Sequence, residues 1–326
     1  MSFAITIFIS AFLLFQIQPV IVRYVLPWYG GSPSVWSSSM LFFQVLLLAG
    51  YAYAHLIVRV LHQKHQVMVH SILLSLSLLI LPITPNIVLK PIGTEDPILS
   101  LIQLLLITVG APYMMVSATG PLLQHWYSKT KVGKSPYRLY ALSNLGSLLG
   151  LLTYPFIIEP LLNLNEQTVI WSIAYAVFVI LCCSSGWLMY KTTLKWDKVP
   201  QDKEIRNIPS TNLTDVFLWL CLEATAVVIL LATTNYVCQD IAVIPFLWIL
   251  PLSLYLLSFI IAFDSPRWYN RWVWIPSLFL SVGIIFYLLY TKTTNDYSII
   301  WVVTMFSTAM FIAVMVCHGE IFRLKP

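Results

Sequence analysis

The chain has 326 residues, of which 59% are hydrophobic and only 10% are charged, and its mean hydropathy is +0.83. A soluble domain carries about a quarter of its residues as charged side chains, so 18 basic and 13 acidic residues are too few to cover a water-soluble globule of this size. This composition argues against a soluble enzyme, a disordered regulator and a nucleic-acid-binding protein. It predicts a chain whose apolar surface faces a lipid bilayer.

Ten segments are apolar over about the 20 residues that a helix needs to cross the hydrocarbon core, although the third is short. We expect the first to be a retained helix rather than a signal peptide, because no basic residue precedes it and it contains no small-residue cleavage site. In chain order the segments are Phe3–Val25, Val35–Val60, Val67–Pro82, Ile98–Thr119, Tyr137–Ile158, Thr168–Tyr190, Val216–Asn235, Ile241–Phe263, Trp272–Tyr290 and Ser298–Cys317.

The basic residues are divided unevenly between the two sides that alternate loops define. One side carries 15 of the 18 Lys and Arg residues, and the other carries Arg23, Lys90 and Lys292. Basic residues concentrate in cytoplasmic loops. We therefore predict a multi-pass protein of the cell inner membrane with both termini in the cytoplasm.

The longest hydrophilic stretch, Lys191–Asn212, separates two groups of apolar segments and contains five basic and three acidic residues. It predicts a first membrane half of six helices (1–190), a cytoplasmic linker (191–212) and a second membrane part of four helices (213–326). The expected fold class is therefore all-α, a polytopic membrane bundle of about ten transmembrane helices.

Two short patterns recur between these parts. Pro33–Trp36 opens the second segment as Pro245–Trp248 opens the eighth, and Gly120 follows the fourth segment as Gly319 follows the tenth. Proline is well tolerated at a helix start, and tryptophan favours the membrane boundary. Either the match is a coincidence, or the chain has two related halves with a binding site between them, as in transporters built from parallel repeats.

Eight motifs spread along the chain resemble the membrane region of the fused transporter–spermidine-synthase-like family. The motifs are Phe12–Pro19, Tyr24–Trp28, Gly30–Trp36, Phe42–His55, Ser135–Ser147, Tyr154–Pro160, Trp248–Tyr255 and Cys317–Glu320.

The resemblance implies a bundle similar to the major facilitators, to which many family members add a soluble aminopropyltransferase-like domain. This chain has no such domain and no glycine-rich strand–turn–helix segment that would hold an adenosyl cofactor, so we expect no cofactor and no spermidine synthesis. It stops at Pro326, where relatives usually continue into further helices, so we expect the second half to be incomplete.

The first segment carries three polar side chains that are costly in a membrane, Gln16, Gln18 and Arg23. In one interpretation Arg23 reaches the interface and the glutamines pair with other helices. In the other, the three residues form an outward-facing site for an anionic or polar solute.

The seventh segment carries Glu223 about 12 Å from its cytoplasmic end, at about 1.5 Å per residue. A carboxyl group near the bilayer centre suits proton coupling or a cationic substrate, but a structural hydrogen bond is an equal alternative. Asp240 lies beyond the outer end of this segment. If the halves are related, Asp240 is positioned to pair with Arg23 as an outer gate.

The fifth segment carries Asn144 among small residues. Gly146 and Gly150 are four residues apart, which predicts that another helix approaches closely there. Packing is the favoured role of this face, and Asn144 is a candidate for both packing and binding.

His125, His318 and Glu320 end two segments at the predicted cytoplasmic face. A cationic imidazole is favoured beside the free carbonyl groups of a helix end. The three residues are equally candidates for an inner gate.

We expect neither a metal site nor a catalytic site. The spacing of His62, His65 and His70 fits no standard metal site, and their loop contains no acidic residue. No arrangement of nucleophile, base and acid is visible either.

The preferred functional hypothesis is a secondary-transporter-like protein that moves a small polar solute. The residues predicted to line its pathway are Gln16, Gln18, Arg23, Asn144, Glu223 and Asp240. One alternative is a non-transporting membrane platform that recruits a soluble aminopropyltransferase-like enzyme, which acts on a polyamine, at the Lys191–Asn212 loop. Another is a truncated fragment of a fused protein.

Overall fold

A computed structural model describes residues 2–30, 33–91, 96–130, 137–196, 212–241, 247–291 and 298–324. In these ranges the chain is helical apart from short turns and bends, and it forms no β-strand. The structure therefore confirms the predicted all-α class. The described residues fall into two compact units, which lie before and after residue 201.

The described residues of the first unit form eight α-helices, which we number in chain order. Five-residue π-helical turns continue α4 into α5 and α6 into α7. The helices are α1 (Ser2–Val25), α2 (Pro33–Val60), α3 (Gln63–Ser77), α4 (Pro97–Leu105), α5 (Ala111–Thr130), α6 (Tyr137–Thr153), α7 (Glu159–Leu161) and α8 (Leu164–Trp196).

The second unit contains four helices among its described residues, and a π-helical segment, Tyr236–Ile241, continues the first of them. The helices are α9 (Leu213–Asn235), α10 (Ile249–Asp264), α11 (Arg271–Thr291) and α12 (Ile299–Leu324).

Eight segments of the described chain are long and apolar enough to cross a membrane, so this is a multi-pass membrane protein. The segments are Ser2–Trp28, Ser38–Val60, Pro97–Ser128, Leu139–Leu161, Leu164–Lys191, Leu213–Cys238, Arg271–Thr291 and Ile299–Leu324. Many of their large apolar side chains are exposed, for example Phe217, Leu220 and Val228 on α9. Such apolar surface is favourable in lipid and unfavourable in water.

The two remaining predicted spans are shorter helices. α3 has 15 residues and α10 has 16. A helix of the length of α10 extends about 24 Å, which is less than a hydrocarbon core of about 30 Å. The total of ten spans, the orientation and the identity of the membrane therefore stay predictions.

Each unit has helices that pack against several others. In the first unit α5 contacts α1, α2, α3 and α8, and α1 contacts α2, α5, α6 and α8. In the second unit α12 contacts α9, α10 and α11. The recurring sequence pattern matched Gly120, which lies on α5, with Gly319, which lies on α12.

The close helix approach predicted from small residues is present between α1 and α6. A Cβ atom added to Gly146 would lie 2.5 Å from the carbonyl oxygen of Phe8, and one added to Gly150 would lie 2.5 Å from that of Phe12. Only glycine fits at such a distance from backbone, because the neighbouring helix cannot move aside as a flexible side chain can.

Replacing Gly146 with alanine should therefore force α1 and α6 apart. We expect a loss of unfolding free energy of about 1–3 kcal/mol, the usual cost of overpacking, measured by thermal unfolding of the purified protein in detergent. Gly120→Ala is the matched control, because an added Cβ there has no atom within 4 Å. Equal stability of both variants would contradict the packing described here.

Candidate functional site

His318 lies at the centre of a polar cluster in the second unit. Its side chain is 0% exposed, and its ring packs against two aromatic residues of α10. The ring centroids lie 5.0 Å from Tyr255 and 4.0 Å from Phe259. Because α12 contacts the other three helices of the unit, a side chain near its end can be enclosed completely.

The hydrogen bonds of Ser258 assign the tautomer of His318. The hydroxyl group of Ser258 donates its single hydrogen to the carbonyl oxygen of Tyr255 at 2.7 Å. Its oxygen can then only accept from Nδ1 of His318, which is 3.0 Å away. We therefore expect a neutral ring that carries its hydrogen on Nδ1 and a lone pair on Nε2.

That lone pair faces the carboxyl group of Glu223. Oε2 of Glu223 lies 4.0 Å from Nε2 of His318, which is too far for a direct hydrogen bond. The same Oε2 accepts a hydrogen bond from the hydroxyl of Tyr255 at 3.3 Å. Nε2 is buried and has no hydrogen-bond partner among the described residues. In the expected tautomer, two acceptors face each other with no hydrogen between them.

The buried histidine of the first unit, His70, is different because both of its ring nitrogens have partners. Thr119 donates to the carbonyl oxygen of Met115 at 2.7 Å, so it accepts from Nε2 of His70 at 3.1 Å. Nδ1 lies 3.4 Å from the hydroxyl of Tyr53. His70 is therefore a satisfied core residue, and we expect its ring hydrogen on Nε2 rather than on Nδ1.

Glu320, a predicted gate residue, anchors the loop between α10 and α11 to α12. Its Oε1 accepts hydrogen bonds from Tyr269 at 2.7 Å and from Nε of Arg271 at 2.6 Å. Its Oε2 accepts from Nη2 of Arg271 at 2.6 Å and lies 3.4 Å from Nε of Arg323. Burial, together with the Glu320 carboxylate, raises the pKa of Tyr269, so its phenol stays protonated and donates.

The polar residues of α1 are paired with other helices. Gln16 donates to Thr153 at 3.2 Å, and Gln18 donates to the hydroxyl of Tyr113 at 3.1 Å. Arg23 forms an ion pair with Glu159. The sequence did not predict this pair, because Glu159 and Arg23 are far apart in the chain.

Three other predicted site residues remain, namely Asn144, His125 and Asp240. Asn144 is half-buried on α6 and makes no side-chain hydrogen bond with the described part of the chain. His125 is half-buried on α5. The side chain of Asp240 lies outside the described part, so its proposed pairing with Arg23 stays a prediction.

Within the described ranges, no group of three His, Cys, Asp or Glu side chains is close enough to hold a metal ion. No protein-family model, no curated protein and no solved structure matches this chain.

The two buried histidines should show opposite tautomers. In solid-state ¹⁵N spectra of histidine-labelled protein in bilayers at pH 9, we expect the Nδ1–H form for His318 and the Nε2–H form for His70. The variants His318→Gln and His70→Gln would assign the two signals. An Nε2–H form at His318 would contradict the hydrogen-bond assignment.

Proposed function

We propose that this protein is a secondary transporter that moves a small polar solute, and that Glu223 and His318 together bind the coupling proton. The observation that carries the proposal is the pair of facing acceptors, Oε2 of Glu223 and Nε2 of His318, 4.0 Å apart inside membrane helices. Ionisable residues within a membrane are rare and typically lie on substrate or proton pathways.

An added proton resolves the conflict between these acceptors. Without it, the carboxylate and the imidazole lone pair face each other, and the hydroxyl of Tyr255 is the only donor near them that the described residues show. With it, the carboxylic acid of Glu223 donates to Nε2 of His318 in a direct hydrogen bond, which requires a separation of no more than about 3.2 Å. Proton uptake therefore draws Glu223 of α9 towards His318 of α12.

The difference in exposure supports access from the side of Glu223. His318 is fully enclosed, whereas the side chain of Glu223 is 39% exposed. A proton therefore reaches the pair through Glu223. The movement that follows couples proton binding to a shift between two packed helices, which is the kind of two-state element that a transport cycle requires.

The other predicted residues take subsidiary roles in this proposal. Gln16 and Gln18 hold α1 to α6 and α5 through the hydrogen bonds described above. His318 belongs to the proton site rather than to a gate. Arg23, Asn144 and Asp240 stay candidates for the solute pathway, and His125 and Glu320 stay candidates for an inner gate.

The family resemblance supports the same proposal, because the membrane region of that family is similar to the major facilitators. The alternative of a platform for a soluble aminopropyltransferase-like enzyme depends on the Lys191–Asn212 loop, of which residues 197–211 lie outside the described part. That alternative gives the Glu223–His318 pair no role, so we favour transport.

Replacing Glu223 with glutamine should abolish the response of transport to a pH gradient, because an amide cannot take up the proton. Wild-type proteoliposomes would first be screened with a panel of labelled polar solutes, and uptake of the transported solute would then be compared with and without a gradient. We expect gradient-driven accumulation to be lost in Glu223→Gln while exchange without a gradient persists.

Asp215→Asn is the matched control, because it removes an acid from the first turn of the same helix. It should transport as the wild type does. Unchanged gradient-driven uptake by Glu223→Gln would remove Glu223 from the mechanism.

A further inference from the structure

A second polar site lies in the first unit, in an open cavity of about 780 Å³. The cavity is bounded by the last turn of α1 and the first turn of α8, at the end that the distribution of basic residues predicts to face outward. Its charged lining residues are Arg23, Lys90 and Glu159, and its uncharged polar side chains include Asn163, Asn165 and Gln167.

The segment that carries Lys90 is held against α8 by specific contacts. The hydroxyl groups of Thr84 and Thr168 lie 2.6 Å apart, and the backbone N–H of Ile83 donates to Ser172 at 3.1 Å. The backbone then forms a short 3₁₀ turn, Ile87–Leu89, directly before Lys90. The lysine is therefore at a defined position on the cavity wall.

The charges of the lining leave one positive charge in surplus. Arg23 and Glu159 neutralise each other in an ion pair. Lys90 forms no ion pair with any residue in the described ranges. A cavity with this balance attracts a monoanion, whereas the carboxylate of Glu159 disfavours a ligand with two negative charges.

The start of α8 adds a second attraction for an anion. Asn163 and Glu166 form a reciprocal cap, in which the backbone N–H of each donates to the side chain of the other at 2.9 and 3.0 Å. The backbone N–H groups of Leu164 and Asn165 are left without intrahelical acceptors, as in the first turn of any helix, and both residues line the cavity. The carboxylate of Glu166 in the first turn offsets the positive end of the helix dipole, so the two free N–H groups, rather than the dipole, supply this attraction.

The side-chain oxygen of Gln167 lacks a hydrogen-bond donor among the described residues. The side chain of Gln167 is 4% exposed, and its Nε2 donates to the carbonyl oxygen of Leu162 at 2.9 Å. Its Oε1 is buried and has no partner among the described residues. A buried acceptor without a partner costs about 1–3 kcal/mol, and a ligand that brings an O–H or N–H group removes this cost.

We propose that this cavity binds a small monocarboxylate that also carries a hydroxyl or ammonium group. The carboxylate lies between Lys90 and the start of α8, and the donor group lies at Oε1 of Gln167. The cavity is much larger than lactate or alanine, so polar contacts rather than size determine recognition. That such a compound is also the transported solute rests on the proposed function, whereas its binding does not.

Isothermal titration of the full chain in phosphatidylcholine nanodiscs tests the site with sodium L-lactate, L-alanine and propionate. We expect lactate and alanine to bind at least about tenfold more tightly than propionate, which lacks the donor, because sites built to hydrogen-bond a ligand reject analogues without the group. In Gln167→Met this preference should disappear, and in Lys90→Gln lactate affinity should fall at least about tenfold.

Lys191→Gln is the control, because it removes a lysine near the other end of α8, and it should leave lactate binding unchanged. Equal binding of propionate and lactate by the wild type, or no binding of lactate and alanine, would overturn the proposal. Inorganic phosphate and phosphatidylglycerol nanodiscs are the remaining arms. If phosphatidylglycerol displaces bound lactate, the proposal stands. If phosphatidylglycerol binds but neither lactate nor alanine does, the cavity is a lipid headgroup site and the proposal is overturned.

The ligand assignment of the cavity and the proposal of proton-coupled transport can fail independently of each other. Glu223→Gln should retain lactate binding, because binding is measured without a gradient. Binding without gradient-driven uptake of either compound would count against proton-coupled transport of this ligand and leave the cavity assignment standing. Gradient-driven uptake of another solute, without binding of lactate or alanine, would support proton-coupled transport and overturn the cavity assignment.

Discussion

Every polar group that enters the hydrocarbon layer must find its partner within the protein, because lipid offers no hydrogen bonds. Helices meet this requirement for the backbone, which explains why the described chain is almost entirely helical. The polar side chains then depend on pairing between helices. Nε2 of His318 is one of the few buried polar atoms for which the described residues do not meet this requirement, and that exception is the basis of the proposed proton site.

The first unit shows how the requirement is normally satisfied. Thr6 of α1 lies 3.2 Å from the hydroxyl of Ser185 on α8, and Trp126 donates to Gln66 at 3.1 Å. His70 has a partner for each ring nitrogen. These pairs join neighbouring helices and hold their register, so the polar residues of the first unit mostly stabilise packing. The cavity beside Lys90 departs from this pattern through the single unpartnered oxygen of Gln167.

Much of the fold follows from the sequence, because about 20 apolar residues have one stable conformation in lipid. That argument predicted the helical class and most of the spans. The small residues of the fifth segment predicted a close helix approach without identifying the partner, which is α1. The sequence also identified Glu223 and His318 individually as candidates, since an ionisable residue in an apolar segment can be recognised from the sequence alone. It did not predict their proximity or the roles of Tyr255 and Ser258, because α10 is apolar around most of its circumference and reveals no preferred face. The ion pair of Arg23 with Glu159 was missed for a similar reason, since the two residues are far apart in the chain.

The central claim is that Glu223 and His318 share one proton, and infrared difference spectroscopy of the protein in bilayers tests it most directly. On acidification we predict a carboxyl C=O band that is absent in Glu223→Gln and changes frequency in His318→Gln, because the ring accepts the hydrogen bond of the protonated acid. The same band should be unaltered in His70→Gln. A carboxyl band of Glu223 that does not respond to replacement of His318, or no band at all, would contradict the account.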